Sequence, residues 1–570
     1  MTKMDPEILV VRCGSAWPRT AVRYQHGGSV VLEGQTLTVF SPFPSVDLLY
    51  WAIDRDRLVI SGDARMVHRP EMRLDPRGVL SLLLYGAVVP PLTTFVEKRT
   101  FLPGYTTHVD LRDFRMRASP SVEWPELLPE DDYLPVAAQI DALAHAIDAE
   151  LEEACVADPI LLFSGGVDSG VLASRLKRLG FSNTSLVHYS FGDNSPDTIA
   201  AHAINAGLKF EFDSVRGHEN GVAEILDGAA FRYHQPFCDH SAIPTHYLVS
   251  HVLDRYGTSR PVLDGTGADG AFGLFAKSRA YARINRIPRA MKALASFAYV
   301  NAGLWRSTGR LERATRIAHR LYTMPKLSAS IAQHSMLGFG LRVDPNDLAE
   351  VTGAMETWID PVRPRDDSFA RIPLADLGLV CAGVFAHKNF SHFADAQCSI
   401  RYPFLAERVV KFALRRAQRW PGSMAPKHAL KLLLLQSAPR EAVIRPKSGF
   451  SSPDFENFGG SAFLERLESA VGPDSPIADF VDRRVVRRVI DDLRARRRVP
   501  PTTYSFAWSI AMTASWIRNI VPAAQVVQQR ALTQGRTEWG AAETAALTEQ
   551  ISAFSSHEHT RKTPPRPAEG

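Results

Sequence analysis

The sequence predicts an α/β protein: a strand-rich α+β part first, then a domain built on a parallel sheet, with a helical C-terminal half. Three patterns carry this. Short alternating strands broken by turn residues fill the chain up to about Asp110. Strands and helices then alternate from Val136 onward, as in a parallel sheet covered on both faces. From about Gly270 the pattern is mainly helical.

Among the early strands, SVVLEG, TLTVFS and RLVISGD are the clearest. One helix, DPRGVLSLLLYG, interrupts them. Asp75 is placed to cap it, and Pro76 falls at the first helical position, where a missing N–H costs nothing. The Pro- and acid-rich stretch SPSVEWPELLPEDDYLP is the best linker. It divides the chain into a first domain over 1–120, a linker over 121–136 and a second domain over 137–524. In the second domain, VAAQIDALAHAIDAELEEAC, GVLASRLKRLG and PDTIAAHAINAGL read as helices. PILLFS, TSLVHYS and KFEFDSV read as the strands between and after them. Residues 525–570 lose the apolar pattern and read as a flexible tail.

With 570 residues the chain has room for two or three domains, and 45% apolar with 22% charged residues is an ordinary globular composition. A net charge of +5 is small for this length. It calls for no nucleic-acid partner, although it suits an anionic substrate. The five cysteines (Cys13, Cys155, Cys238, Cys381, Cys398) are odd in number and never form CxxC, which argues against a disulfide framework or a zinc site. The opening MTKMDPEILVVRC lacks the features of a secretion signal, and no stretch approaches the ~20 apolar residues that span a bilayer. The expectation is a cytoplasmic protein without a membrane partner.

The most informative residues are LLFSGGVDSGVLASRL, Leu161 to Leu176. An apolar strand ends at Ser164, two glycines follow, and a helix starts at once. Gly165 and Gly166 let backbone N–H groups approach phosphate oxygens, and the helix adds the positive end of its dipole. Ser164 and Ser169 can donate hydroxyl hydrogen bonds. Asp168 would repel phosphate unless magnesium lies between them. A lone Gly-Gly turn would be read as a capped strand-to-helix turn; SGGxDS behind an apolar strand is more specific. The GxxxxGK[ST] spacing of a Walker loop is absent.

SGGVDS resembles the pyrophosphate-binding loop of enzymes that cleave ATP to AMP and pyrophosphate. HQPFCDHSAIPTHYL, VLDGTGADGAFG, SIRYPFLAERVVKFAL, KHALKLLL and VIRPKSGFSSP resemble, in order, segments of the asparagine-synthetase-like family. The likeness covers roughly Ala137 to Ile520. It implies an adenine-nucleotide α-hydrolase-like synthetase domain that uses ATP and Mg2+. Asp168 and Asp269 would then hold magnesium from two strand ends facing one cleft. Ser164, Gly165, Gly166 and Ser169 would hold pyrophosphate. Gly265, with the strand around Val187 and His188, would line the nucleotide pocket. Lys447 would offset phosphate charge or steady the tetrahedral intermediate, assisted by Lys427; the alternative for either lysine is a solvated surface cation.

Two positions depart from the family pattern. The glutamate of its LSGEG loop is Thr266 here, and the glutamate two before the arginine of VRVPFL is Ser399. In β-lactam-forming relatives a tyrosine and a glutamate at these positions deprotonate the attacking amine. Neither Thr266 nor Ser399 is a competent base near neutral pH. His387, His392 and Asp395 are the weak substitutes. His234, His240 and His246 recur every six residues, off any single helical face, and are read as incidental. RRVVRRVIDDLRARRR (Arg483 to Arg498) reads as a solvated helix face, with contact to an acidic peptide as the alternative.

Leu74 to Leu111 resembles the end of the glutaminase domain that precedes the synthetase domain in this family. Such a glutaminase needs an N-terminal cysteine nucleophile, whereas position 2 is Thr2 and Cys13 lies further in, read as a buried structural thiol. The first domain is therefore expected to be a degenerate glutaminase-like (Ntn-type) scaffold. A glutaminase-dead member resembles a β-lactam synthetase or a lasso-peptide macrolactam synthetase, and loss of both dyad positions argues for the latter. The resemblance then implies an AMP-forming carbon–nitrogen ligase acting on a precursor peptide. It would adenylate an Asp or Glu side chain for attack by the peptide's N-terminal amine. A leader-binding protein and a leader peptidase are the candidate partners. An ammonia-dependent asparagine synthetase and an inactive scaffold stay open beside it.

Overall fold

The computed structural model describes residues 3–4, 8–24, 28–123, 135–217, 221–363, 370–416, 425–445, 460–497 and 499–533. Among the described residues, ten strands lie before residue 121: β1 (Lys3–Met4), β2 (Leu9–Arg12), β3 (Trp17–Arg23), β4 (Ser29–Gly34), β5 (Thr36–Ser41), β6 (Tyr50–Asp54), β7 (Arg57–Ser61), β8 (Lys98–Thr100), β9 (Tyr105–Asp110) and β10 (Met116–Pro120). They form two sheets, ordered β1-β3-β4-β5-β9-β10 and β2-β7-β6-β8. All pairings are antiparallel except β1 with β3. The period-two sequence pattern explains the packing. Val30, Leu32, Leu37 and Val39 of the larger sheet share a buried cluster with Leu9, Val11, Leu58 and Ile60 of the smaller one.

Helix α1 (Pro76–Tyr85) starts as the sequence predicts, with Pro76 in its first turn and the Asp75 carboxylate accepting the Arg77 N–H. Gly86 ends it in the left-handed conformation. Most of the expected linker falls on residues 124–134, outside the described residues, and helix α2 (Val136–Ala154) follows.

Five parallel strands then make the second architecture: β11 (Ile160–Leu162), β12 (Ser185–Tyr189), β13 (Glu211–Val215), β14 (Val262–Asp264) and β15 (Ile400–Arg401), in the order β13-β12-β11-β14-β15. Helices α3 (Val167–Arg178) and α4 (Pro196–Leu208) connect the first three. The chain winds from β11 outward through β12 to β13, then returns to place β14 on the other side of β11. That reversal falls at the carboxyl ends of β11 and β14, the place where open α/β sheets bind ligands in a crevice.

The helical half packs back onto the double-sheet part, and one apolar cluster contains side chains of both. Trp358 Nε1 donates to Pro103 O at 2.9 Å, and His334 Nε2 lies 2.6 Å from Leu83 O. The expected tail boundary at Gln525 needs correction. The last helix runs from Pro501 to Thr533. Within it, Gln528 is buried and its Nε2 donates to the carbonyls of Arg65 and His68 at 3.0 Å. Polar residues such as Gln528 hid this end of the helix because they dock on backbone rather than on an apolar core. No helix among the described residues is long and apolar enough to cross a membrane.

Candidate active site

Between β11 and α3 the chain must turn within four residues. Gly165 makes this feasible: its φ is 71°, and a Cβ there would fall 2.4 Å from the Asp197 carbonyl oxygen. Ser164 Oγ accepts the Gly166 N–H at 3.2 Å, and Ser169 Oγ accepts the Ser164 N–H at 3.2 Å. The two hydroxyls lie 3.2 Å apart. They therefore brace the loop around its own backbone, with Ser169 buried and Ser164 exposed. The loop is further tied by Arg445, whose Nη2 donates to Gly165 O at 3.2 Å and to Asp197 Oδ1 at 2.6 Å.

The facing wall is the loop after β14. Asp264 shapes it: one carboxylate oxygen accepts the Thr266 N–H at 2.6 Å and the other accepts Asn389 Nδ2 at 2.7 Å. Asn389 Oδ1 in turn accepts the Tyr402 hydroxyl at 2.6 Å. Gly265 abuts the first loop, since a Cβ there would sit 3.2 Å from Asp168 Cβ and 3.3 Å from Ser169 N. Asp269 stands in the first turn of the short helix Ala268–Phe272.

These two walls bring Asp168 and Asp269 to one point. Lys427 Nζ lies 2.5 Å from Asp168 Oδ2 and 2.9 Å from Asp269 Oδ1. Lys427 precedes the helix His428–Leu434 in a left-handed conformation, and its N–H donates to Phe272 O at 3.0 Å. Its side chain is only 9% exposed, whereas that of Asp269 is 46% exposed. Burial opposes the charged lysine, yet Asp168 and Asp269 hold its pKa above the ordinary value. Two carboxylates that converge on one cation, from loops at the mouth of the crevice, offer the hard oxygen donors that Mg2+ takes.

Residues 141–518 match the asparagine synthase family model. The chain belongs to the asparagine synthase family. As a member it is an ATP-dependent amide ligase in general type. Among solved structures, the NH3-dependent NAD synthetase from Campylobacter jejuni subsp. jejuni NCTC 11168, in complex with the nitrate ion, aligns at 13% identity and a TM-score of 0.19. The alignment covers 40% of this chain and 98% of that one. No curated protein matches this chain.

Within this asparagine synthase-family crevice the structure unites Ser164, Gly165, Gly166, Asp168, Ser169, Gly265, Asp269 and Lys427, and it rules out a surface role for Lys427. Lys447 lies outside the described residues. The side chains of Val187 and His188 are buried, so any lining of the nucleotide pocket by this strand falls to its backbone. A parallel strand covered on both faces leaves neither side free. His188 instead bonds Phe163 O at 2.9 Å and Thr198 Oγ1 at 3.0 Å, and burial lowers its pKa.

The proposed substitute bases fare no better. Burial lowers the pKa of His387 and pushes His392 down to about 3. Burial alone would raise the Asp395 carboxyl, but His234 and Arg65 hold it at about 2. His234 is not incidental: its Nε2 lies 2.8 Å from Asp395 Oδ1 in a cluster with Asp63 and Arg65. Cys13 is exposed rather than buried, its thiol donating to Arg112 O at 2.9 Å in a surface turn. Arg483 to Arg494 form a helix that buries Val486, Val489, Ile490 and Leu493 and turns Arg484, Arg487 and Arg488 outward, as a solvated face should. Sequence reading missed Arg445, Asp264 and Asn389. Arg445 stands two residues before Lys447, and Asn389 lies between two histidines that drew notice; the signal was adjacency to a recognised motif.

Proposed function

We propose that this chain adenylates a side-chain carboxylate of a precursor peptide and closes a macrolactam ring with the peptide's N-terminal amine. The convergence of Asp168 and Asp269 on a single cation at the switch point carries the reading. A carboxylate is a poor electrophile, and transfer of AMP to it creates a leaving group. Mg2+, when bound by Asp168 and Asp269, would offset the charge of the phosphates. The Ser164–Ser169 loop, shaped by Gly165 and Arg445, presents backbone N–H groups and the start of α3 to the departing pyrophosphate. Lys427 keeps its charge through burial and is placed to follow that negative charge. Lys447, from the resemblance, serves the same end.

The double-sheet part we read as a glutaminase-like scaffold that supplies no ammonia. Its one cysteine, Cys13, is held to a carbonyl in a surface turn. With Thr266 and Ser399 where β-lactam-forming relatives carry the tyrosine–glutamate dyad, the pattern favours the macrolactam reading over a β-lactam-forming one. Ring closure costs loop entropy, roughly (3/2)RT ln n plus a constant, which a pocket offsets by holding the chain folded before reaction.

The test is incubation of the full-length protein with ATP, Mg2+ and candidate precursor peptides freed of any leader. The expected result is ATP–pyrophosphate exchange that depends on the peptide, with a product lacking one water. Exchange with free aspartate, and asparagine formed from ammonia, would replace the macrolactam reading by a synthetase. Absence of exchange with every carboxylate offered would favour an inactive scaffold.

A further inference from the structure

The helix Arg289–Asn301 is amphipathic the wrong way round for a soluble surface. Its buried residues are Lys292, Ser296 and Tyr299. Ser296 and Tyr299 face the helix Arg310–Thr323: Ser296 Oγ lies 2.8 Å from His319 Nδ1, and the Tyr299 ring stacks on that imidazole with centroids 5.2 Å apart, while Lys292 Nζ donates to Asn285 O at 3.3 Å. The outward stripe is apolar. Met291 is 61% exposed, Leu294 70% and Phe297 65%; Ile287 continues the stripe one turn earlier, and Leu311 on the neighbouring helix is 65% exposed. A helix normally turns such a stripe inward. A contiguous apolar ridge left outward marks an interaction surface.

Charge identifies what the ridge meets. From Phe275 to Thr323 the sequence carries eleven lysines and arginines against one acidic residue, Glu312. The whole chain is only +5, so this stretch is far more basic than the average of the chain, as 401–447 also is. Glu312 is engaged by Arg316 at 3.0 Å. Among the described residues, no carboxylate lies within ion-pair distance of Arg279, Arg283, Arg286, Arg310 or Arg313. Beside Leu311, a cavity of about 510 Å³ is lined by Arg310, Arg313 and Arg316, with Glu312 and the start of the last helix at Pro501.

We propose that the helices from Phe275 to Thr323 dock on an anionic lipid surface. The Met291, Leu294, Phe297 and Leu311 side chains enter the interface, while the arginines meet headgroup phosphates. Side chains this exposed form a ridge, not a groove, and a ridge of apolar groups among guanidinium groups suits a fluid anionic surface. The mode is peripheral.

Co-sedimentation of the full-length protein with vesicles tests this. Vesicles of phosphatidylglycerol mixed with phosphatidylcholine should bind it, and added salt should weaken binding; vesicles of phosphatidylcholine alone should bind far less. Leu294→Ser combined with Phe297→Ser should weaken partitioning by at least about tenfold, since these groups supply buried apolar area. Arg310→Glu with Arg313→Glu should weaken it comparably. Circular dichroism checks that each variant is folded. No binding of the wild type to anionic vesicles, or equal binding to both compositions, overturns the proposal without reference to any variant. An acidic protein as the true occupant would produce the first of these results.

Discussion

At the crevice, Lys427 joins Asp168 and Asp269. At the seam between the double-sheet part and the rest of the chain, Arg65 joins Asp63 and Asp395, with His234 on the same Asp395 oxygen. By spacing alone the seam is the better metal site: ligand atoms of Asp63, His234 and Asp395 lie within 4.8 Å of one another. Its surroundings say otherwise. Arg65 is fully buried, and its rigid fork donates to both Asp63 oxygens and to the Phe231 carbonyl. That is a clamp holding two parts of the chain together. The crevice pair is joined by a lysine on a flexible stem, opens to solvent at Asp269, and sits between glycine loops at strand ends. Clustered carboxylates therefore mark a binding site only where the fold leaves a way in and backbone donors beside them.

The largest expected difference between the two pairs is in catalysis. Asp168→Asn should lower ATP–pyrophosphate exchange by about 1000-fold or more, because magnesium and its ligands offset several kcal/mol of developing charge. Asp63→Asn should leave exchange by the folded protein within about threefold. Similar losses in both variants would erase the distinction. In stability the order reverses. Arg65→Ala leaves two carboxylates without their buried partner and should cost about 3–5 kcal/mol by denaturant unfolding. A cost below about 1 kcal/mol would show that the clamp is dispensable.

A smaller effect follows from pH. Burial alone would lower the His234 pKa, but Asp63 and Asp395 raise it overall. The folded value thus exceeds the unfolded one of about 6.5, so the stabilisation is full below that pH and fades as pH rises through the folded value. The stability gap between wild type and His234→Gln should narrow from mildly acidic to alkaline pH; a gap that widens would reverse the sign assigned here. Smallest of all, Cys13→Ser should change stability by less than about 0.5 kcal/mol and leave ligation intact, since the thiol is at the surface. Loss of activity in that variant alone would reopen a role for the thiol.

Much of this was legible in the sequence because local chemistry wrote it there. Asp75-Pro76 announced α1, alternation in SVVLEG and TLTVFS announced β4 and β5, and SGGVDS announced a loop only glycine could form. Asp168 and Asp269 were legible through their motifs, although they are separated by three strands and several helices. What stayed hidden depends on long-range contact. Nothing local tells that Val187 and His188 are sealed by helices on both faces, or that His234 meets Asp395 across 161 positions. For Lys427 the sequence left an assisting lysine and a solvated surface cation side by side, until the fold set it between two carboxylates. Gln528 looked like tail because its partners are carbonyls of Arg65, Met66 and His68.

The most direct test is calorimetric titration of ATP into the full-length protein with and without Mg2+, comparing wild type, Asp269→Asn and Asp63→Asn. Magnesium should strengthen ATP binding in wild type and Asp63→Asn, and Asp269→Asn should lose that enhancement. Undiminished magnesium dependence in Asp269→Asn, with the protein folded, would contradict a shared metal between Asp168 and Asp269.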